Sequence, residues 1–421
     1  MTPTHNAFVA YEKFFDCVHC GLCLPFCPTY VELGTEMDSP RGRIATMRAL
    51  HEGRFPLDSE TVRHLDLCLG CRACETACPS GVRYGELIEG ARPFIEQRYR
   101  RPLFERIKRR MIDTVFPSPL GTYMFAFMLR VGAVLSLSRL ARSRWVPQPL
   151  RYWCGFVPER GALSAAPLAS RYAAVGERRY TVALLSGCVT SAVFGGINQA
   201  TVKVLRHNGC EVLVPKAQVC CGALLLHNGN QAAALAFARR NIEVFGSLPV
   251  EAVIINAAGC GAMMKEYGKL CRADVRYRDR AAQLAAKVKD VAEFLSTIPF
   301  TAPNREVRAH VTYHDACHLA HGQGVREQPR TLLRAIPGIR LTELAEADWC
   351  CGSAGTYNLT EPEMAWRLLA RKVRHIRETR ADIVVMGNPG CLMQIRAGLR
   401  QQGIPVRALH TVELLAEAYG A

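Results

Sequence analysis

Eight cysteines in the first 78 residues constrain this 421-residue chain more than any other feature. They form two copies of one pattern, CxxCxxCxxxCP, at Cys17, Cys20, Cys23, Cys27 and at Cys68, Cys71, Cys74, Cys78, 51 residues apart. Cysteines at i, i+3 and i+6 wrap three thiolates around one corner of a cubane cluster, and the fourth, followed by proline, leaves the loop. In two-cluster ferredoxins that fourth cysteine ligates the other cluster. The spacing therefore predicts two [4Fe–4S] clusters, one on Cys17, Cys20, Cys23 and Cys78, the other on Cys68, Cys71, Cys74 and Cys27. Zinc is the alternative, but its four-cysteine sites are usually built from two separated CxxC pairs. Pro28 and Pro79 redirect the chain, and loop N–H groups such as those of Gly21 and Gly70 are placed to hydrogen-bond sulfur. Between the motifs, Ser39, Pro40 and Gly53 mark a helix with its N-cap, first turn and end.

The other cysteines are set by an internal repeat. Cys188, then Cys220-Cys221-Gly222, then Cys260 recur as Cys317, Cys350-Cys351-Gly352 and Cys391, the offset drifting only from 129 to 131. Each copy alternates apolar strand-like runs with helical stretches: TVALLSGC, EVLVPKAQVCCG and AVIINAAGC, then HVTYHDAC, IRLTELAEADWCCG and DIVVMGNPGC. That alternation implies βαβ units and a parallel sheet. Cysteines at the carboxyl ends of three strands then converge on one sheet edge, where open α/β sheets hold ligands. Adjacent cysteines do not readily close a strain-free disulfide, but they can give two thiolates to one metal centre. Cys188, Cys220, Cys221 and Cys260 are thus a candidate four-thiolate site, as are Cys317, Cys350, Cys351 and Cys391, for a further iron–sulfur or metal centre. A redox-active thiol pair or a quinone contact are the other roles these positions admit. Cys154, Cys210 and Cys271 fall outside the repeat and read as buried small hydrophobes. His314 and His318 flank Cys317 and offer metal ligation or proton transfer, but read first as satisfied core or surface histidines; Tyr357 and His227 stay open between a functional and a packing role, and no residue is assigned a catalytic role.

The expected fold class is mixed: a small α-helical ferredoxin-type N-terminal domain (1–100), a basic helical and apolar connector with linker (101–177), and two repeated α/β domains (178–300 and 301–421). A single helical stretch is expected from Glu86 to Arg110, an apolar stretch from Phe116 to Leu140, and a linker from Pro147 to Glu177. Arg130 interrupts the apolar run, which falls short of the roughly 18–20 residues needed to span a bilayer. The formal charge of +16 is concentrated here: Arg98 to Arg151 holds twelve Arg and Lys against Glu105 and Asp113. Arg106, Lys108, Arg109 and Arg110 before the apolar run, and Arg139, Arg142 and Arg144 after it, suit a segment lying on anionic lipid. A core helix docking the two halves is the other reading.

At 49% hydrophobic and 21% charged residues the composition is that of a folded globular chain and excludes a disordered or polytopic one. The first 16 residues have no secretory pattern and the cysteine total of 19 is odd, which points to a reducing, cytoplasmic compartment with metal-binding thiols. No GxGxxG follows a strand, and there is no P-loop and no GxSxG. No nucleic-acid motif accompanies the basic charge, so nucleic acid is not an expected partner.

The strings CVHCGLCLPFCPTY, DSPRGRI, LCLGCRACETACPSGVRYGEL, NAAGCGAMMKEYG and WCCGSAGTYNL resemble the iron–sulfur subunits of bacterial glycolate oxidases, nearly end to end. Lactate-utilisation and anaerobic glycerol-3-phosphate dehydrogenase subunits, and relatives of heterodisulfide reductase, share the broader pattern. The resemblance implies a complex in which flavin-bearing subunits oxidise glycolate to glyoxylate and this chain relays electrons to a quinone-type acceptor. It implies a protein held peripherally at the inner face of the cell membrane, with the flavin on its partners. A cysteine-based redox sensor is the alternative of a different class. One departure stands out: the broad CCG pattern ends in CxxC, but Met263 and Gln394 occupy the place of its last cysteine.

Overall fold

A computed structural model describes residues 8–143, 145–158 and 167–420. The N-terminal region is helical, as the cysteine-loop spacing requires. Helix Pro40–His51 starts where Ser39 Oγ accepts the Gly42 N–H at 2.9 Å, with proline in its first turn. Helix Ser59–Asp66 starts where Asp58 accepts the Thr61 N–H at 2.9 Å. With Tyr84–Arg98 they enclose a core of Phe14, Ile44, Met47, Leu50, Val62, Leu65, Leu87, Ile88 and Ile95. The single stretch expected from Glu86 to Arg110 is instead two helices, Tyr84–Arg98 and Leu103–Val115. Pro102 has no N–H for a helical ladder, and the residue before a proline is driven out of the α region.

Two sheets follow. The first comprises β1 (Arg171–Tyr172), β2 (Tyr180–Leu184), β3 (Cys210–Leu213), β4 (Ala252–Ile255) and β5 (Val288–Asp290), in the order β1-β3-β2-β4-β5. The second comprises β6 (Ala309–His314), β7 (Ile339–Glu343), β8 (Ile383–Met386) and β9 (Arg407–His410), in the order β7-β6-β8-β9. Apart from β1, which runs antiparallel along β3, every pairing is parallel, and the two copies share one topology. Alternation along β2 explains how the repeats join. Val182 and Leu184 enter a core shared with Val311, Tyr313 and Val384 of the second sheet, while Ala183 and Leu185 face Ile242 and Phe245 on the other side.

The connector is a helical layer. Pro119–Val134 packs Thr122, Ala126, Gly132 and Ala133 inward and leaves Leu120, Tyr123, Met124, Phe127, Met128, Val131 and Val134 exposed. No helix among the described residues is long and apolar enough to cross a membrane. The expected linker from Pro147 to Glu177 contains a helix, Gln148–Phe156, in which Tyr152 and Phe156 are buried with Ala397. Proline at its first turn starts this helix, and an apolar face drives its docking. Part of the expected linker, 159–166, lies outside the described residues.

Candidate metal centres and the shared thiol cavity

Three groups of thiols follow one another through the molecule. The outermost comprises Cys17, Cys20, Cys23 and Cys78. His19 (φ 55°) and Gly21 (φ 85°) bend the first loop into the left-handed region, and the Arg41 guanidinium holds it by donating to the His19 carbonyl at 3.0 Å. Burial raises the Cys17 thiol, and Cys78 and Cys20 add to the rise as like-charged neighbours. Burial pushes Cys23 up to about 11, with Cys17 and Cys27 beside it.

The second group lies deeper, with Cys27 and Cys68 buried and Cys71 and Cys74 half-buried. Cys27 shares one small cavity with Cys68, Cys71 and Cys74, lined also by Thr29, Arg43, Leu69 and Tyr84. The fourth cysteine of the first motif thus sits with the first three of the second. Donors point at its sulfurs: Tyr84 Oη to Cys68 Sγ at 3.5 Å, Gly70 N–H to Cys68 Sγ at 3.4 Å, and Arg43 Nη1 towards Cys27 Sγ at 3.9 Å. Arg43 was not foreseen as part of this site. It is 1% exposed and also donates to the His64 carbonyl at 2.7 Å and to Thr29 Oγ1 at 3.0 Å, with Asp38 at 3.4 Å. Burial holds the Cys71 and Cys74 thiols well above their usual range in the absence of a cation. A set of four sulfurs, surrounded by N–H, O–H and guanidinium donors and free of carboxylates, fits an anionic iron–sulfur cluster.

The third group gathers all eight repeat cysteines around one largely apolar cavity of about 240 Å³. Cys188 and Cys317 open the helices that follow β2 and β6, and Cys260 and Cys391 sit in the first turns of the helices that follow β4 and β8. The CCG glycines explain the remaining corner. Gly222 and Gly352 have φ of 87° and 86°, and a Cβ there would lie 3.2 Å and 2.4 Å from the Ala234 and Ala365 carbonyls. Only glycine lets the paired cysteines turn inward against the next helix. Within each repeat the thiols touch in series; Cys188 and Cys220 sulfurs are 3.6 Å apart. The two sets expected from the sequence therefore face each other across a common space. Phe116, Phe125, Leu129, Trp153 and Phe156 of the connector complete its lining.

Histidines join these groups. His318 lies 5.3 Å from His227, ring to ring, and both line the cavity. Burial, then His318, holds the His227 imidazole well below its usual range. His314, read from sequence as a packing residue, is fully buried yet neither ring nitrogen has a hydrogen-bond partner. Tyr357 is a docking residue: its hydroxyl donates to the Leu67 carbonyl at 3.0 Å, beside Cys68. The same junction carries Arg72–Glu266 at 2.8 Å and Arg371–Glu32 at 3.3 Å. Cys71, Cys317 and Cys350 meet in one apolar cluster with Leu67 and Leu69, so the second and third groups adjoin. The basic connector is less free than its composition implied. Arg101 and Arg109 bind Asp66 at 2.6 Å and 3.2 Å, while Arg106 and Arg110 remain exposed.

Comparison with known proteins follows the same division. A 4Fe-4S dicluster domain model matches residues 13–82, and a Cysteine-rich domain model matches 182–265 and 311–396. The chain is 39% identical to the probable glycolate oxidase iron-sulfur subunit of Bacillus subtilis, over 97% of this chain and 94% of that one. It is 35% identical to the glycolate oxidase iron-sulfur subunit of Escherichia coli, over 99% of this chain and 97% of that one. Lactate utilization protein A of Oceanobacillus iheyensis is 33% identical over 56% of this chain and 96% of its own length. Extent and identity together decide between these relatives: the chain belongs to the family of glycolate oxidase iron-sulfur subunits and is an iron–sulfur electron-transfer component of an oxidoreductase.

Proposed function

We propose that this chain carries electrons from flavin-bearing partner subunits, which oxidise glycolate to glyoxylate, towards a quinone-type acceptor at the membrane. The observation that carries the reading is the unbroken succession of thiol groups. Cys23 adjoins Cys27, Cys71 adjoins Cys317 and Cys350, and these two lie on the cavity shared with the first repeat. In this reading Cys17, Cys20, Cys23 and Cys78 hold one [4Fe–4S] cluster, and Cys27, Cys68, Cys71 and Cys74 hold the other. Such clusters supply one-electron transfer, whereas a 2-hydroxy acid gives up two electrons and a hydride, which calls for a flavin on another subunit. This chain's own contribution is to bury the second cluster site and to aim Arg43, Tyr84 and Gly70 at its sulfurs, which tunes its potential.

The exposed apolar face of Pro119–Val134, with Leu103, Phe104, Ile107 and Met111 exposed on the preceding helix, supports seating on a membrane surface. Arg106, Arg110 and Arg139 are exposed beside it, a charge pattern that favours anionic lipid on the cytoplasmic side. Phe116, Phe125 and Leu129 of this same segment line the thiol cavity, giving an apolar acceptor a route to it. The test is glycolate-to-quinone electron transfer by the co-purified complex, with D-lactate, L-lactate and glycerol 3-phosphate as competitors. Loss of quinone reduction without this chain is expected. Glycolate oxidation to quinone that persists at full rate without it overturns the proposal, and a preference for lactate reassigns the substrate.

A further inference from the structure

The two repeats match at every cysteine but differ at two positions beside them. Three residues before the first cysteine, the first repeat has Leu185 and the second has His314; three before the last, the first has Ala257 and the second Asn388. Both differences put a polar side chain where its counterpart is hydrocarbon, and both fall on one site. Asn388 Nδ2 donates to Cys391 Sγ at 3.3 Å. His314 ends β6, is 0% exposed, and has no hydrogen-bond partner on Nδ1 or Nε2. The Ala347 carbonyl nearby is already taken by the Asp315 N–H at 3.1 Å and the Lys372 ammonium at 3.3 Å. A buried imidazole with two bare nitrogens is unfavourable unless a ligand engages one of them.

The sulfurs of Cys351 and Cys391 supply the rest of such a site. One His314 ring nitrogen and these two sulfurs all lie within 4.8 Å of one another, and all three residues are buried. A cation holding nitrogen at about 2.0 Å and sulfur at about 2.3 Å needs only a slight closing of that triangle. The Cys350 thiol, in contact with that of Cys351, is available as a fourth ligand. We propose that the second repeat binds a borderline or soft cation, zinc or an iron of a cluster, through a mixed set of His314, Cys351 and Cys391, and that the first repeat's site is thiolate-only. The mixed site does not depend on the electron-relay reading, because a structural zinc and a cluster iron share this chemistry.

The test uses the full chain purified anaerobically, as wild type, His314→Leu and His314→Cys. Histidine is labelled with ¹⁵N, and iron, zinc and acid-labile sulfide are counted. The wild type is expected to hold metal beyond the two N-terminal clusters, and His314→Leu to lose the second repeat's share of that excess, with affinity there down at least about tenfold. His314→Cys, which restores a ligand, is expected to keep it. Retained N-terminal cluster absorbance shows that each variant is folded. If the excess is zinc, X-ray absorption shows a nitrogen neighbour beside sulfur; if iron, the reduced protein shows ¹⁵N-histidine hyperfine coupling. Either result supports the mixed site. It is overturned by a wild type whose excess metal has no histidine nitrogen ligand, by one that takes up neither zinc nor iron with sulfide beyond the two clusters, or by an unchanged metal content in folded His314→Leu.

Discussion

His318 donates its Nε2–H to the carbonyl of Gly70 at 3.0 Å, tying the residue after Cys317 to the loop between Cys68 and Cys71. A carbonyl only accepts, so this bond also fixes the tautomer of a ring that lines the thiol cavity. Replacing His318 with Phe keeps the ring but leaves the buried Gly70 carbonyl unpaired, at a cost of about 1–3 kcal/mol. Amide exchange over Gly70–Ala73 is expected to quicken while N-terminal iron is retained. Unchanged protection of that loop contradicts the bond's role in holding the junction.

Arg43 is the buried counter-charge at the second cysteine group. Arg43→Leu strips Asp38 of its guanidinium partner, leaving it only the His64 ring at 2.9 Å, and removes the donor facing Cys27. Breaking a buried pair in this way costs about 3–5 kcal/mol. Iron content after anaerobic purification is expected to fall by about half, one of two clusters. Arg43→Lys is expected to lie between, since an ammonium keeps the charge but not the fork. Full iron in Arg43→Leu would remove Arg43 from the site.

Stability is expected to carry a pH signature from Asp290. This carboxylate caps the Val291–Leu295 helix, accepting from the Ala292 N–H at 2.8 Å, and is 2% exposed. Burial raises its pKa from 3.8 to about 7, with the Ala292 N–H opposing and Glu293 adding. The fold thus favours the protonated form: the contribution is complete below about pH 4 and is lost as pH rises through about 7. Asp290→Asn removes the titration, so relative to wild type it gains up to about 4 kcal/mol between pH 4 and pH 8. Thermal midpoints of both proteins at the two pH values measure it. An equal difference at both pH values contradicts the assignment.

The apolar face predicts lipid binding. Met124→Glu with Phe127→Glu places two carboxylates on it, and each lost Met or Phe contact is worth about 1.5–3 kcal/mol. Affinity for vesicles containing anionic lipid is expected to fall at least about tenfold with iron content unchanged. Equal flotation of variant and wild type contradicts the membrane proposal.

How much of this was legible in the sequence depended on whether the signal was local. Cysteine spacing, the Ser39–Pro40 helix start and the repeated strand runs are set by backbone geometry within a few residues, and the helical N-terminal region and parallel sheets follow from them. Arg43 was hidden because it is a charged residue on the inner face of a helix, where periodicity expects hydrocarbon. The helix Gln148–Phe156 sits in a proline-rich stretch whose turn signals outweighed Tyr152 and Phe156 until a partner surface near Ala397 was known. The meeting of both thiol sets across one cavity depends on how two sheets share a core through Val182 and Leu184, which no window along one repeat contains. His314 read as a core histidine because burial was foreseeable and the absence of a partner was not.

The electron relay rests on the first eight cysteines holding two iron–sulfur clusters that feed the thiol cavity. Counting iron, zinc and acid-labile sulfide on the anaerobically purified full chain tests it most directly. At least about eight iron and eight sulfide per chain are expected, with a cluster EPR signal on reduction. About two zinc per chain, no iron and no sulfide would contradict it.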